Sequence, residues 1–430
     1  MDARRSPVPV YYLLAGGSAL CYSLTFTLSM VYQVQEVGLS PLQLVLVGTV
    51  LEASVFLGEV PTGIVADVYS RRLSILIGLA LIGCGLALMA TPSFVGIVVG
   101  QVFWGVGYTF TSGAEQAWIT DEIGAERVAP VFVRATQVGL AGTIAGILLA
   151  GLVGLVWIGL PIVAGGIGFL VLTVVLAVIM PEHGFTRSVE RTTWATVAAQ
   201  FRAGVRLARS RPVVRALMLV SLISGLSSEA FDRLWVVHVI DTGLPDVVGE
   251  VVWFAAIALS GTAISLLVSL VVNQMFKNAL TGLHPTRLLA ALTVAEAAAI
   301  AAFALAGQFW LVLALLWARS SVQVVAEPVV AAWMNRNLDS DVRATVLSFD
   351  GQMNAIGQVA GGPALGAVGN AVSVRAALLG SALTLLPAAA VYATTRPADR
   401  VTLRRSDAQG RGTDERGSDG DESRSLQGDL

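Results

Sequence analysis

The sequence predicts an all-α integral membrane protein of twelve membrane-spanning helices in two six-helix bundles, and three observations carry that reading. The 430-residue chain is 55% hydrophobic and only 13% charged, at a mean hydropathy of +0.75, which is more apolar surface than a water-soluble core can hide. Twelve apolar runs, each of about 20 residues and able to cross roughly 30 Å of hydrocarbon, fill nearly everything from Val10 to Ala393. Arg4, Arg5, Arg71, Arg72, Arg127, Arg187, Arg209, Arg287 and Arg336 fall on one side of those runs together with the C-terminal tail, and the opposite loops hold only Arg375. By the positive-inside rule both termini are expected in the cytoplasm, with an even number of spans.

Taken in order, the first run, Val10 to Tyr32, is long enough to span and has no small-residue cleavage pattern, so it reads as an uncleaved first helix. Cys21 and Cys84 sit in mid-helix as small apolar residues, with no disulfide implied. From Val131 to Met180 the apolar pattern is almost unbroken; as one helix it would run roughly 75 Å, so it must fold back. Trp157, Gly159 and Pro161 mark the turn. Pro181 to Pro212 is polar, holds six arginines, and spaces Trp194, Val197, Ala198, Phe201, Val205 and Leu207 as an amphipathic helix suited to the inner membrane surface. The expected organisation is therefore a short cytoplasmic start (residues 1–9), a first bundle (10–180), a connector (181–212), a second bundle (213–395) and a tail (396–430) too charged and too poor in aromatic residues to fold.

The two halves read as copies. Gln137 aligns with Gln352, Gly142 with Gly357, Gly146 with Gly361, Gly151 with Gly366 and Gly154 with Gly369, all at one offset of 215 residues. Such repeats place a substrate site at their interface and let one half rock against the other. Small residues four apart also permit close helix packing, and the two readings are compatible.

Ten charges lie inside apolar spans, where each costs roughly 2.5 to 3.5 kcal/mol at mid-membrane: Glu52, Glu59, Glu115, Glu229, Asp232, Arg233, Glu296, Arg319, Glu327 and Asp350. Glu52 and Glu59, seven apart, share a helix face. Glu229 and Arg233, four apart, can pair and leave Asp232 over. Arg319, Gln323 and Glu327 form one polar stripe, and Asp350, Asn354 and Gln358 another; Tyr22 and the set Gln101, Tyr108 and Glu115 add two more. These stripes are expected to face a central cavity. An acid in a low-dielectric cavity is a reversible proton site, which makes Glu52, Glu229 and Asp232 the proton-coupling candidates. The alternative, that these acids only pair with Arg233 or Arg319 and stiffen the bundle, stays open at this level, and for Glu296 the structural role is preferred.

The polar gap GIVADVYSRR, Gly63 to Arg72, resembles the cytoplasmic signature loop of the major facilitator superfamily: Gly, three residues, Asp, a basic residue, any residue, Gly, then Arg and a second basic residue. Gly63, Asp67, Arg71 and Arg72 match; Val68 and Ser70 replace the usual basic residue and glycine. The resemblance implies a cavity lined by the first, fourth, seventh and tenth helices. It also implies that Asp67 docks at the start of the eleventh helix, near Arg343 to Thr345, as a latch, and that Arg71 or Arg72 pairs with an acid at the end of the fourth helix, Asp121. Two signatures of proton-coupled drug exporters match less well: Gln101 replaces an arginine of the fourth helix, and no proline lies between Gly142 and Gly151.

Other classes lack their chemistry. His183, His238 and His284 are far apart, no HExxH or thiol cluster exists, and with Lys277 the only lysine a GxxxxGK[ST] phosphate loop is impossible. Neither a cofactor nor nucleic acid is expected as a partner. The expectation is a secondary transporter, monomeric, in a bacterial cell membrane, coupled to H+ and working on a small molecule. Export of an amphipathic drug-like compound is preferred, because Tyr22, Phe26, Trp104, Tyr108 and Trp235 offer aromatic contacts. Uptake of a polar or anionic solute, suited to Arg233 and Arg319, is the alternative, and a membrane sensor a distant third.

Overall fold

The computed structural model describes residues 6–185, 202, 204–278, 284–338 and 340–395. The connector stripe from Trp194 to Phe201, the tail and the first five residues lie outside the described residues. All regular structure among those described is helical. The first half comprises α1 (Pro7–Phe26), α2 (Ser29–Gln35), α3 (Pro41–Ile64), α4 (Arg71–Met89), α5 (Phe94–Thr111), α6 (Ala114–Ile123), α7 (Ala125–Val153) and α8 (Leu160–Ile179). The second comprises α9 (Pro212–Asp241), α10 (Glu250–Asn278), α11 (Pro285–Leu305), α12 (Phe309–Asn337), α13 (Ser340–Ala371) and α14 (Val374–Thr394). Among the described residues eleven helical stretches are long and apolar enough to cross a membrane; α13, 32 residues long but interrupted by polar side chains, is not one of them.

Local chemistry sets the boundaries. Pro7, Pro41, Pro161, Pro212 and Pro285 stand in first turns, where a missing N–H costs nothing. Ser40 closes a capping box with Gln43, and Ser70, Ser93 and Ser373 cap α4, α5 and α14. The long apolar run does fold back: α7 stops at Val153 and α8 starts at Leu160, so the turn begins slightly before Trp157 and Pro161 falls inside the next helix. Two spans are broken. The first bends at Thr27 and Leu28 between α1 and α2; the fourth breaks at Ser112 and at Gly113, whose φ of 74° is left-handed.

Each half has its own core, with Leu14, Ile75, Leu79, Trp118 and Phe169 in the first and Leu217, Phe231, Phe303, Val312 and Leu385 in the second. The second core also takes in Leu28 of the bend, Val31 of α2 and Leu44, Val45 and Val47 of α3, so one end of the first half is packed into the other. Val205 and Leu207, expected to face lipid, pack on the second core instead. The short helix that carries them covers protein, with Gly204 against the Phe349 ring.

The repeated glycines sit at equivalent crossings. Gly142 and Gly146 bring α7 onto the backbone of Gly16 and Leu20 in α1, while Gly357 and Gly361 bring α13 onto Leu222 and Leu226 in α9. A β-carbon at Gly361 would lie 2.5 Å from the Leu226 carbonyl oxygen, whereas one at Gly63 would meet nothing within 4 Å. Gly361→Ala should therefore lower stability by about 1–3 kcal/mol, visible as a lower unfolding temperature of the detergent-purified protein, and Gly63→Ala should leave it unchanged.

Candidate functional site

The two halves meet most intimately around a buried ion pair. Glu229 is 2% exposed, and its Oε1 accepts from Arg233 Nε at 3.0 Å, one turn along α9. Gly48 of α3 faces this pair so closely that any side chain there would overlap both the carboxylate and the guanidinium. Gly362 of α13 seats the Glu229 side chain from the other side and also faces Thr49 of α3. Glu52, one turn beyond Gly48, lies within the electrostatic reach of Glu229 and Arg233. Gly48 was not singled out in the sequence. The available signal was a glycine one helical turn before an intramembrane acid.

Beside this seam a cavity of about 680 Å³ runs between α3, α5 and α13. Glu52, Phe56 and Glu59 line one wall, Trp104, Tyr108 and Ser112 another, and Leu347, Ser348 and Gln352 the third. Among the described residues it carries two acids and no base. It reaches Gly63, at the end of α3 that leads into the GIVADVYSRR loop. A smaller cavity of about 270 Å³ lies between the α1 bend and α9, α10 and α12, with Phe26, Asp232, Trp235 and Arg319 on its walls. A third, also about 270 Å³, is confined to the first half and includes Tyr22, Tyr108 and Glu115.

Several expectations need correcting. Glu229, Arg233, Arg319 and Gln323 do not share one cavity: the first two are locked in the seam. Arg319, 7% exposed, lies 3.4 Å from Asp232 and 3.7 Å from Glu296, with its guanidinium 4.0 Å from the Phe231 ring centroid. Gln323 donates to Glu296 at 2.8 Å, pointing toward α11 rather than inward. Asp350 accepts from the Ser221 hydroxyl, and Asn354 donates to the Ser221 carbonyl oxygen at 3.3 Å, so that stripe binds α13 to α9 inside the second half. Gln101 is fully buried against Met89. Glu327 is exposed and lines none of the three cavities. A 3.6-residue stripe identifies a face but not the neighbour that the face meets.

At the loop end, α3 unwinds into a π-helical turn, Val65–Tyr69. Arg71 pairs with Asp121. Ser70, where the loop pattern has glycine, needs no glycine conformation at φ −173°: it accepts from the Leu73 N–H at 2.9 Å and donates to Glu182 at 2.7 Å. Glu182, which the sequence did not flag, also accepts from the Arg72 N–H at 2.9 Å. Asp67 makes no hydrogen bond or ion pair among the described residues, and Arg343 donates to the Leu338 carbonyl oxygen at 3.2 Å. The Thr345 side chain lies outside the described residues. The opposite end is shut: Gln35 donates to the Glu250 carboxylate at 2.5 Å, Gly366 and Gly369 of α13 pack on Val45 and Pro41 of α3, and Gly151 packs on Ala255.

Two helical bundles with an acid-bearing cavity on their seam, reaching the loop at one end and shut at the other, have the arrangement of a membrane solute transporter. The sequence model of the Major Facilitator Superfamily matches residues 12–295, and the chain belongs to that family. The fold is similar to that of the nucleoside transporter NupG, at 15% identity and a TM-score of 0.73 over 91% of this chain and 99% of that one. It is similar also to a POT family transporter in complex with 5-aminolevulinic acid (13% identity, TM-score 0.69, 89% and 94% covered). A peptide transporter POT in complex with sulfate is alike as well (14%, 0.71, 90% and 93%). At these identities the likeness is one of fold. No curated protein sequence matches the chain.

Removing one partner of the seam pair strands a buried charge. Arg233→Ala or Glu229→Ala should each destabilise the protein by about 3–5 kcal/mol, whereas the double replacement by methionine should recover most of that loss. Thermal unfolding of the three variants in one detergent checks this.

Proposed function

We propose that the chain is a secondary transporter that works by rocker-switch alternating access, exporting an amphipathic small organic molecule from the cell in exchange for protons. In this reading α13 supplies the twelfth span, the termini and the GIVADVYSRR loop lie in the cytoplasm, and the cavity faces inward. The observation that carries the reading is the composition of that cavity: Glu52 and Glu59 beside Phe56, Trp104 and Tyr108, with no basic side chain on its walls among the described residues. Such a site suits a molecule with an apolar body and a basic or neutral polar group.

Glu52 is the group best placed to couple protons to movement. It reaches the cavity and lies close to the seam pair. With Glu52 charged, two acids face one arginine across the junction of the halves; protonation removes one negative charge from the first half and changes how tightly the halves attract. Asp67 has its role in the other state, when the loop end closes and its carboxylate meets the N-terminal end of α13. Uptake by symport is the second reading. Asp232 and Arg319 on the walls of the smaller cavity would suit a zwitterion, and the similar structures include transporters named for nucleosides and peptides.

In everted membrane vesicles with an acidified interior, the protein should accumulate a cationic amphipathic dye, and Glu52→Gln should abolish the dependence on the proton gradient. Dye or solute uptake by intact cells, with none in everted vesicles, would favour symport. Asp67→Asn should slow turnover at normal abundance, measured as initial rate per protein molecule.

A further inference from the structure

We infer that the cavity inside the first half is a binding site for an organic ammonium group, with Glu115 as its counter-ion. This rests on the transport reading above and names the chemistry that one part of the molecule selects. The cavity, about 270 Å³, is walled by α1, α4, α5, α6 and α8 alone, so it belongs to one half and moves with it. That volume is ample for a trimethylammonium head.

Glu115 opens the first turn of α6, just past the left-handed Gly113 that breaks the fourth span. Among the described residues it makes no ion pair or hydrogen bond, and none of those lining the cavity is an arginine or lysine. The Ser18 hydroxyl on the facing wall is buried without a hydrogen-bond partner. An acid left unpaired at membrane depth is costly unless something cationic or protic visits it.

Three aromatic side chains, Tyr22, Tyr108 and Phe169, line the same cavity as the acid. Tyr22 packs edge-on against Phe169, with ring centroids 4.7 Å apart, and Tyr108, 46% exposed, stands at the mouth. A carboxylate beside aromatic rings is the arrangement that holds quaternary and tertiary ammonium groups, through charge and ring quadrupole together. Tyr108 and Ser112 also line the 680 Å³ cavity, so the two spaces adjoin. An amphipathic cation can set its head at Glu115 and lay its apolar body along Trp104 and Phe56. The site thereby separates two duties: Glu115 takes the substrate's charge, and Glu52 takes the proton.

The test is titration calorimetry of the full chain in nanodiscs with benzyltrimethylammonium. Wild type should bind saturably, and Glu115→Gln should weaken binding by about tenfold or more, the loss of one charge-assisted contact. Glu115→Asp should retain part of the affinity, and Tyr108→Ala should cost about threefold or more while Tyr108→Phe costs little. Unfolding temperatures equal to wild type certify that the variants are folded. Undiminished binding by Glu115→Gln, or no binding by wild type, overturns the assignment. Binding lost in Glu52→Gln but kept in Glu115→Gln overturns it too, placing the cation in the larger cavity. Because binding is measured without a gradient, failure here is separate from failure of proton-driven export in vesicles.

Discussion

The arrangement depends on one contact: a bare glycine backbone, Gly48, laid against the buried Glu229 and Arg233 pair. Two charges that have left water need a tight, complementary surrounding, because their attraction offsets desolvation only when the geometry is good. Gly48 and Gly362 provide it from two helices of opposite halves, and a β-carbon at Gly48 would displace the carboxylate and guanidinium of the pair. The closeness of α3 to α9 and α13 then follows. One end of α3 is drawn into the second core, with Leu44, Val45 and Val47, and the far end of the molecule is shut. Beyond Glu52 the same helix has no such partner, and the space it leaves is the main cavity.

Charge is divided unevenly between the halves. In the second, Glu229, Asp232 and Glu296 all face arginines, and Asp350 is tied to Ser221. In the first, Glu52, Glu59 and Glu115 lack an ion-pair partner among the described residues. Paired charges fix helices in place, whereas an unpaired acid in a cavity can change its protonation state or accept a cation. The second half thus holds the paired acids, with the exposed Glu327 as its exception, and the first holds acids whose charge can vary. In the proposed mechanism proton and substrate bind to acids of the first half, and the seam pair is the fulcrum.

Much of this was legible in the sequence for plain physical reasons. Apolar run length and turn residues located the helices, including the reversal before Pro161, and the equal spacing of Gly142, Gly146, Gly357 and Gly361 anticipated equivalent crossings in the two halves. The pairing of Arg71 with Asp121 was suggested only by the loop's resemblance. What could not be read was the neighbour of each polar face. The stripe of Asp350 and Asn354 looked as suited to a cavity as that of Glu52 and Glu59, yet it serves α9, because a period of 3.6 residues fixes a direction on one helix and says nothing of what lies there. Ser70 shows the converse: a departure from the loop pattern that a cap and a bond to Glu182 make structurally apt.

The central claim is that the halves rock about the Gly48 seam, so that the two ends open in opposition. Distances between spin labels answer it directly, with one pair at Gln35 and Glu250 on the shut end and another at Gly63 and Leu347 on the cavity end, in a chain whose Cys21 and Cys84 are replaced. When pH is lowered or a transported compound added, the first distance should lengthen while the second shortens. Two distances that stay fixed, or that change in the same direction, would contradict the account.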